Sequence, residues 1–336
     1  MSPSSSSRSS KPKPAEVAAE TKKFLKKTAG TWPAYSYLFS QPLAITQDQL
    51  PPRPMLNLNP PSFYVRDGDP VDFAACWSNA NNNAPVAFIC AANEKRPGGD
   101  WETGVSGYEE RLCRRSNLSS HLSTPKTNYP LPAEGGLYSG RVVVFRGPHD
   151  RYEHRDPTEW HTLPVVSVVP TRWPKLKSNG TCYSFEGEYE LAKAKLRAAL
   201  TICVYNDIRT VVIGDFGLGG GRNPPQAMAE MWREVLLWDP NLRGRIENVA
   251  FVFEDRNQST MRLIMEELAR KSRSGGSSGS GGSSSSSSKG KGKPSSSSTA
   301  SYPTDYQIFA HVFGDAEVTR VLTQPDSRMG VNNIVS

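Results

Sequence analysis

Unbroken apolar strands alternate with helices through the middle of this chain, and that alternation decides its fold class. VAFICA (86–91), VVSVV (165–169), the VVI of TVVIGDF (210–216) and NVAFVF (248–253) lack the polar alternation of a half-exposed strand. Such runs belong to strands covered on both faces. SFYVRD (62–67) and VVVF (142–145) are further strand candidates, and helical spacing falls at about 70–77, 107–118, 187–206, 224–237 and 257–271. The expectation is an α/β chain: a three-layer α/β/α mixed sheet, mostly parallel, that takes its ligand beyond the C-terminal strand ends.

That pattern occupies residues 60–271. Ahead of it lie a basic tail with a short helix over about 15–29 (1–30) and a Pro-rich lead-in (31–59). After it comes a Ser/Gly/Lys tract (272–300), read as a disordered surface insertion. Residues 301–336 carry Ile308, Phe309, Val312 and Phe313 at helical spacing, which predicts a final helix returning to the domain, followed by a tail.

The net charge of +7 would suggest nucleic acid if it were spread over a face. It is not. Residues 1–30 hold seven Lys/Arg against two Glu, and residues 271–300 hold five with no acid, so the rest of the chain is at −3. Solvated tails are therefore favoured over nucleic-acid recognition. No apolar run is long enough for a membrane helix, and the first residues lack the apolar core of a secretory signal. The five Cys have no CxxC spacing and read as reduced thiols. Cytoplasm and/or nucleus is the expected location, and a monomer the expected state. His149, His154 and His161 share a polar stretch without metal-site spacing, so neither metal nor cofactor is expected.

Two glycine-rich loops follow strands. In TVVIGDFGLGGGRNPPQAM, Gly214, Gly217, Gly219, Gly220 and Gly221 precede a helix for which Asn223 is the N-cap candidate, Pro224 the first residue and Gln226 a capping-box partner. Strand, glycine loop and helix N-terminus together suit a phosphate, although a flexible turn with a cap is the plainer reading. In the other loop, after CAAN (90–93), come Gly98, Gly99, Asp100, Trp101, Gly104 and Gly107. Ser106 and Glu109 fit a capping box, whereas Glu110 has no such duty.

RPGGDWETGVSGYEERLCRRSNL resembles the catalytic segment of the microbial-type poly(ADP-ribose) glycohydrolases, a macrodomain family. Its motif is Gly-Gly-Gly, then Gln-Glu-Glu, then a Leu-Cys-Arg-x-Ser-x-Leu helix. The matching positions are Gly98, Gly99 and Asp100, then Tyr108, Glu109 and Glu110, then Leu112, Cys113, Arg114, Ser116, Asn117 and Leu118. GDFGLGGGRNPP falls where that family has its diphosphate loop. RDGDPVDFA (66–74) and CAAN (90–93) are similar to its strand ends. Asp100 and Tyr108 depart from the motif, and Gly221 stands where the family usually has an aromatic near the ribose. Trp101 is either a substitute for that aromatic or a residue packing on its own loop.

The resemblance implies a glycosidase that hydrolyses the bond at C1″ of an ADP-ribosyl group on poly(ADP-ribose) or an ADP-ribosylated protein. It implies Glu110 as general acid and then base, and Glu109 on a ribose hydroxyl while helping to cap the helix. Asn93 would orient the terminal ribose. Gly217, Gly219, Gly220, Gly221 and Asn223 would hold the diphosphate. Asp69 would take the adenine amine, or else merely cap the helix that begins at Pro70. A macrodomain that binds ADP-ribose without cutting it is the alternative.

Overall fold

The structure, a computed structural model, describes residues 12–40, 59–274 and 302–323. A seven-stranded sheet forms its centre, in the order β1-β4-β5-β3-β6-β7-β2. The strands are β1 (Tyr37–Phe39), β2 (Ser62–Asp67), β3 (Val86–Ala91), β4 (Gly136–Val144), β5 (His161–Val168), β6 (Thr210–Ile213) and β7 (Asn248–Phe253). Five of them, β5-β3-β6-β7-β2, run parallel, while β4 and β1 close one side antiparallel. The expected three-layer mixed sheet is borne out.

Helices cover both faces. On one face α5 (Glu186–Tyr205), α6 (Pro225–Trp238) and α8 (Asp305–Val312) pack on Ile89, Val166, Ile213 and Phe251. On the other, α2 (Pro70–Ala80), α3 (Tyr108–Arg115) and α4 (Leu118–Leu122) enclose Phe88, Val165, Val212 and Val252. The apolar runs are continuous because alternate residues of each strand feed these two cores.

Several elements differ from the sequence expectation. The helix expected over 107–118 breaks at Ser116, where the chain turns extended before α4. Strand β1 lies in the lead-in and adds to the edge of β4, pairing Tyr37 with Tyr138. Helix α1 (Pro14–Thr28) is docked, not free: Val17 and Ala18 are buried, and Thr21 Oγ1 donates to the Arg114 carbonyl at 2.6 Å. Most of the 1–14 segment and the 272–300 tract, both read as disordered, lie outside the described residues.

The returning helix forms as its periodicity demands. Thr304 and Gln307 make a reciprocal capping box at the start of α8. Phe309 then enters an aromatic cluster, 5.0 Å from Phe251 and 5.2 Å from Phe253 between ring centroids. Phe313 sits 4.4 Å from Phe251 and 4.8 Å from Phe63. Among the described residues there are also helices α7 (Thr260–Ser274) and α9 (Asp315–Thr323), the latter where only a tail was expected after the returning helix. Truncating Phe309 to Ala leaves a cavity at a buried aromatic cluster, and equilibrium urea unfolding should record a loss of about 3–5 kcal/mol.

Candidate active site

Strands β3 and β6 are neighbours, parallel and in register, with Ile89 beside Ile213. Both glycine loops therefore leave the same edge of the sheet side by side. Helix α3 starts above that edge. Its first residue, Tyr108, leans across to the second loop: a Cβ on Gly214 would lie 3.2 Å from the Tyr108 ring. The Arg111 guanidinium stacks on the same ring, 4.4 Å from its centroid. Burial pushes the Tyr108 phenol well above its usual range, and the Asp215 carboxylate beside it adds to the shift.

Glu110 sits in a notch made of backbone. An added Cβ at Gly99 would overlap its Oε1, and one at Gly107 would overlap its Oε2. The Asp100 amide approaches Oε1 at 3.4 Å. Gly98 and Gly99 have φ of +72° and +57°, a region that glycine enters at little cost. At Gly98 a Cβ would also come within 2.9 Å of Cys113 Sγ and Trp101 Cδ1. The two glycines are thus fixed by both dihedral and space. The Asp100 side chain turns away to an exposed ion pair with Arg96 at 2.7 Å.

Glu109 has a different job from the one expected. It does not cap: the N-cap residue is Gly107, and no side chain bonds the helix start. Instead Glu109 Oε2 accepts the Asn93 amide at 2.7 Å, tying α3 to the end of β3. The residue is only 1% exposed, and its Oε1 is buried without a hydrogen-bond partner. Burial pushes its carboxyl up to about 8, and the Glu110 charge next to it adds to the rise.

Asn93 is partly committed as well. Its Oδ1 accepts the amides of Lys95 and Arg96 at 2.9 and 3.1 Å, which shapes the loop, and its Nδ2 is turned toward Gly99. Asn223 is not the N-cap of α6, which begins after Pro224 with no side-chain cap. It is fully buried and stitches the second loop together. Its Nδ2 donates to the carbonyls of Gly217 (2.7 Å) and Thr171 (2.6 Å), and its Oδ1 accepts from Tyr183 Oη (2.7 Å). Much of the loop's own backbone is internally bonded. The Gly219 amide donates to Thr260 Oγ1 at 2.7 Å and the Gly221 amide to the Leu218 carbonyl at 2.9 Å. Gly220 is the exposed apex, and Gly217 has φ +76° with Asn223 packed where its side chain would be.

Asp69 makes the cap that its position before Pro70 allows. Oδ1 accepts the Asp72 amide at 2.8 Å as the N-cap of α2, and both oxygens face Arg115 Nη1 at 2.8–2.9 Å. Trp101 is 7% exposed and packed on its own loop, so it is no substitute for a ribose-facing aromatic. Asp69, His149 and Glu254 bring ligand atoms within 4.8 Å of one another. Two guanidiniums already occupy the place a cation would take: Arg115 holds Asp69, and Arg111 reaches both Glu254 and the His149 ring. Cys113 is fully buried, and burial pushes its thiol well up, which does not suit a nucleophile.

Beyond Arg114's place in the motif, the sequence reading gave the two buried arginines no role. Arg114 donates to the carbonyls of Trp101 (2.8 Å), Thr103 (2.9 Å) and Val105, and so fixes the stretch between Asp100 and Gly107. Arg115 binds Asp69 and Asp72. Their only local signal was two consecutive cations on the apolar face of a helix.

Residues 9–147 match the family model of the microbial-type PARG catalytic domain. The resemblance read from the sequence is borne out, and the matched span includes the segment from Gly98 to Leu118. Among solved structures, a poly(ADP-ribose) glycohydrolase from Thermomonospora curvata is similar at a TM-score of 0.60 and 21% identity, over 76% of this chain and 98% of that one. The same enzyme bound to the inhibitor ADP-HPD gives 0.56 at 20% identity, over 77% and 98%. A Deinococcus radiodurans poly(ADP-ribose) glycohydrolase in complex with ADP-ribose gives 0.50 at 21% identity, over 70% and 94%. At these identities the likeness establishes the fold. No curated protein matches the chain.

The raised carboxyl of Glu109 has a consequence for stability. A folded-state value of about 8, against about 4.5 unfolded, means that the folded protein holds the extra proton through that window. Stability from this group is full below about pH 4.5 and is lost as pH rises toward 8. Glu254, which burial pushes up to about 7, acts in the same direction. Glu109→Gln keeps an acceptor for the Asn93 amide and cannot ionise. Urea unfolding across pH 5 to 8 should show this variant gaining on the native protein as pH rises. A difference independent of pH would mean that Glu109 is already charged at pH 5.

Proposed function

We propose that this chain hydrolyses the C1″ glycosidic bond of ADP-ribosyl groups, releasing ADP-ribose from poly(ADP-ribose) or from modified proteins. The observation that carries the reading is the Glu110 carboxylate, held in a glycine notch at the strand-end edge beside the second glycine loop. The match to the microbial-type catalytic domain supplies the substrate class.

Glu110 is the half-buried member of the carboxylate pair and is the one assigned here to the reaction. Glu109, one position earlier, is buried and bonded to Asn93. Adjacent positions on a helix are about 100° apart, so the two acids cannot flank one bond as paired glycosidase carboxylates do. One carboxyl then serves both halves of the reaction. Glu110 protonates the leaving oxygen as the C1″–O bond breaks and the ribose becomes oxocarbenium-like. It next takes a proton from the water that bonds to C1″, which regenerates the acid and gives ADP-ribose. The loop at 217–223 holds the diphosphate and fixes the ribose relative to Glu110. Asn93, whose Nδ2 is turned toward Gly99, would orient the terminal ribose.

Glu110→Gln removes the proton donor and leaves the loops in place. Calorimetry with ADP-ribose should give an unchanged affinity, while release of ADP-ribose from a modified protein falls at least 100-fold. Equal release rates would remove Glu110 from the mechanism. Binding without turnover by the native protein would make it a reader of ADP-ribose. Gly107→Ala tests the notch separately. The added methyl overlaps the carboxylate, so turnover should fall by at least ten-fold while the unfolding midpoint moves little, because Gly107 lies outside both cores.

A further inference from the structure

Beyond the end of β5 the chain runs P-T-R-W-P-K-L-K-S (170–178), with three cations and no acid. This strap crosses the edge where both glycine loops emerge. Arg172 Nη2 reaches the Ala92 carbonyl at the end of β3 at 3.4 Å, and the Trp173 amide donates to the Gly221 carbonyl at 2.8 Å. It then turns back on itself. Lys175 and Lys177 pair with Ser184 and Cys182 through backbone hydrogen bonds of 2.7 and 3.0 Å, and the turn at Gly180 rests on Ile264 of α7. The strap is therefore a fixed ribbon.

Its outer surface carries what a soluble protein normally hides. Trp173 is 58% exposed and is held at φ +54°, where a bulky residue is strained. Phe185 is 54% exposed. Each ring has a cation over it: Arg222 lies 5.2 Å from the Trp173 centroid and Lys175 lies 5.5 Å from that of Phe185. Lys177 is exposed nearby. Of the acids nearby, Glu188 accepts the Lys175 amide at 2.9 Å and Glu267 lies 3.6 Å from Arg222, while Glu186 stands exposed beside Phe185. Exposed aromatic faces interleaved with cations are the chemistry that binds a chain of bases and phosphates. The strained tryptophan tied to Gly221 gives that surface a fixed position beside the diphosphate loop.

We infer that the 172–185 ribbon, with Arg222, is a binding site for poly(ADP-ribose) beyond the unit being cleaved. An adenine of the next unit stacks on Trp173, and its diphosphate lies along Lys175 and Lys177. The inference rests on the proposed activity and adds the polymer as the preferred substrate.

The test compares three ligands on the full chain carrying Glu110→Gln, so that polymer is not consumed: ADP-ribose, a poly(ADP-ribose) fraction and poly(A) RNA. The expected result is that polymer binds more tightly than ADP-ribose. Lys175→Ala with Lys177→Ala should weaken polymer binding about ten-fold and flatten its salt dependence by about one unit of slope. Trp173→Ala should weaken polymer by a similar factor through lost stacking. ADP-ribose affinity should stay within two-fold in the lysine double variant. Equal losses for monomer and polymer, or none for polymer, overturn the inference. Poly(A) bound as tightly and lost as steeply assigns the ribbon to RNA and overturns it too. Normal ADP-ribose binding with no preference for polymer removes this inference alone, whereas no ADP-ribose binding at all removes the proposed activity with it.

Discussion

The site depends on one pairing, β3 against β6. Because these strands are parallel neighbours in register, their C-terminal ends come level and two loops distant in sequence share one rim. An antiparallel pairing would send one of those loops to the opposite edge. Tyr108 fills the space between the loops, and Gly214 is a glycine because the ring lies against its backbone. An aromatic residue at the start of α3 therefore joins the two halves of the site through packing, where a smaller amide side chain would leave room.

Holding a carboxylate at that rim requires the loop beneath it to be rigid, and buried charge supplies the rigidity. Arg114 and Arg115 follow each other on α3, both buried, with opposite tasks. Arg114 gathers backbone carbonyls from 101–105, and Arg115 gathers the carboxylates of Asp69 and Asp72. Removing one partner of such a buried arrangement leaves an uncompensated charge, which costs about 3–5 kcal/mol. The glycine loop is thus held by Arg114, one helical turn beyond Glu110 on the same face, through bonds to the loop's own carbonyls. The same logic places Glu109 on the Asn93 amide: the neighbour of the acid proposed to react is bonded into the structure.

What was legible in the sequence was what local periodicity and local turn chemistry decide. Continuous apolar runs marked the doubly covered strands, and Ile308, Phe309, Val312 and Phe313 marked a helix that returns to the core across a long low-complexity tract. Gly98 and Gly99 were legible as a motif pair, and their positive φ and close contacts explain why both are glycine. What was not legible came from partners far away in the chain. Asn223 looks like a helix cap because its neighbours follow capping grammar, yet Tyr183 and Thr171 claim its side chain. Ser106 and Glu109 have capping-box spacing, but Asn93 offers a buried amide that competes successfully for the carboxylate. Trp101 gave no sign of being covered, because α1, which shields that face, lies some eighty residues earlier. The three-residue β1 carries no periodicity and exists only because β4 presents an open edge.

The helix beyond the low-complexity tract does more than close the core. Asp305, fully buried at the start of α8, accepts the Thr260 amide at 2.8 Å and its hydroxyl at 2.6 Å, and also accepts from Gln258 Nε2 at 3.0 Å. Thr260 Oγ1 in turn accepts the Gly219 amide, and Gln258 Nε2 also reaches Asp215 at 3.2 Å. A single carboxylate from beyond the low-complexity tract thereby orients the two side chains that hold the second glycine loop from behind. Such a network strengthens only when every member is satisfied, and a vacancy in it leaves buried polar groups unpaired. Undocking α8 would therefore release Gly219 as well as expose Phe309. The loop proposed to hold the diphosphate is formed only in a chain in which α8 has already docked.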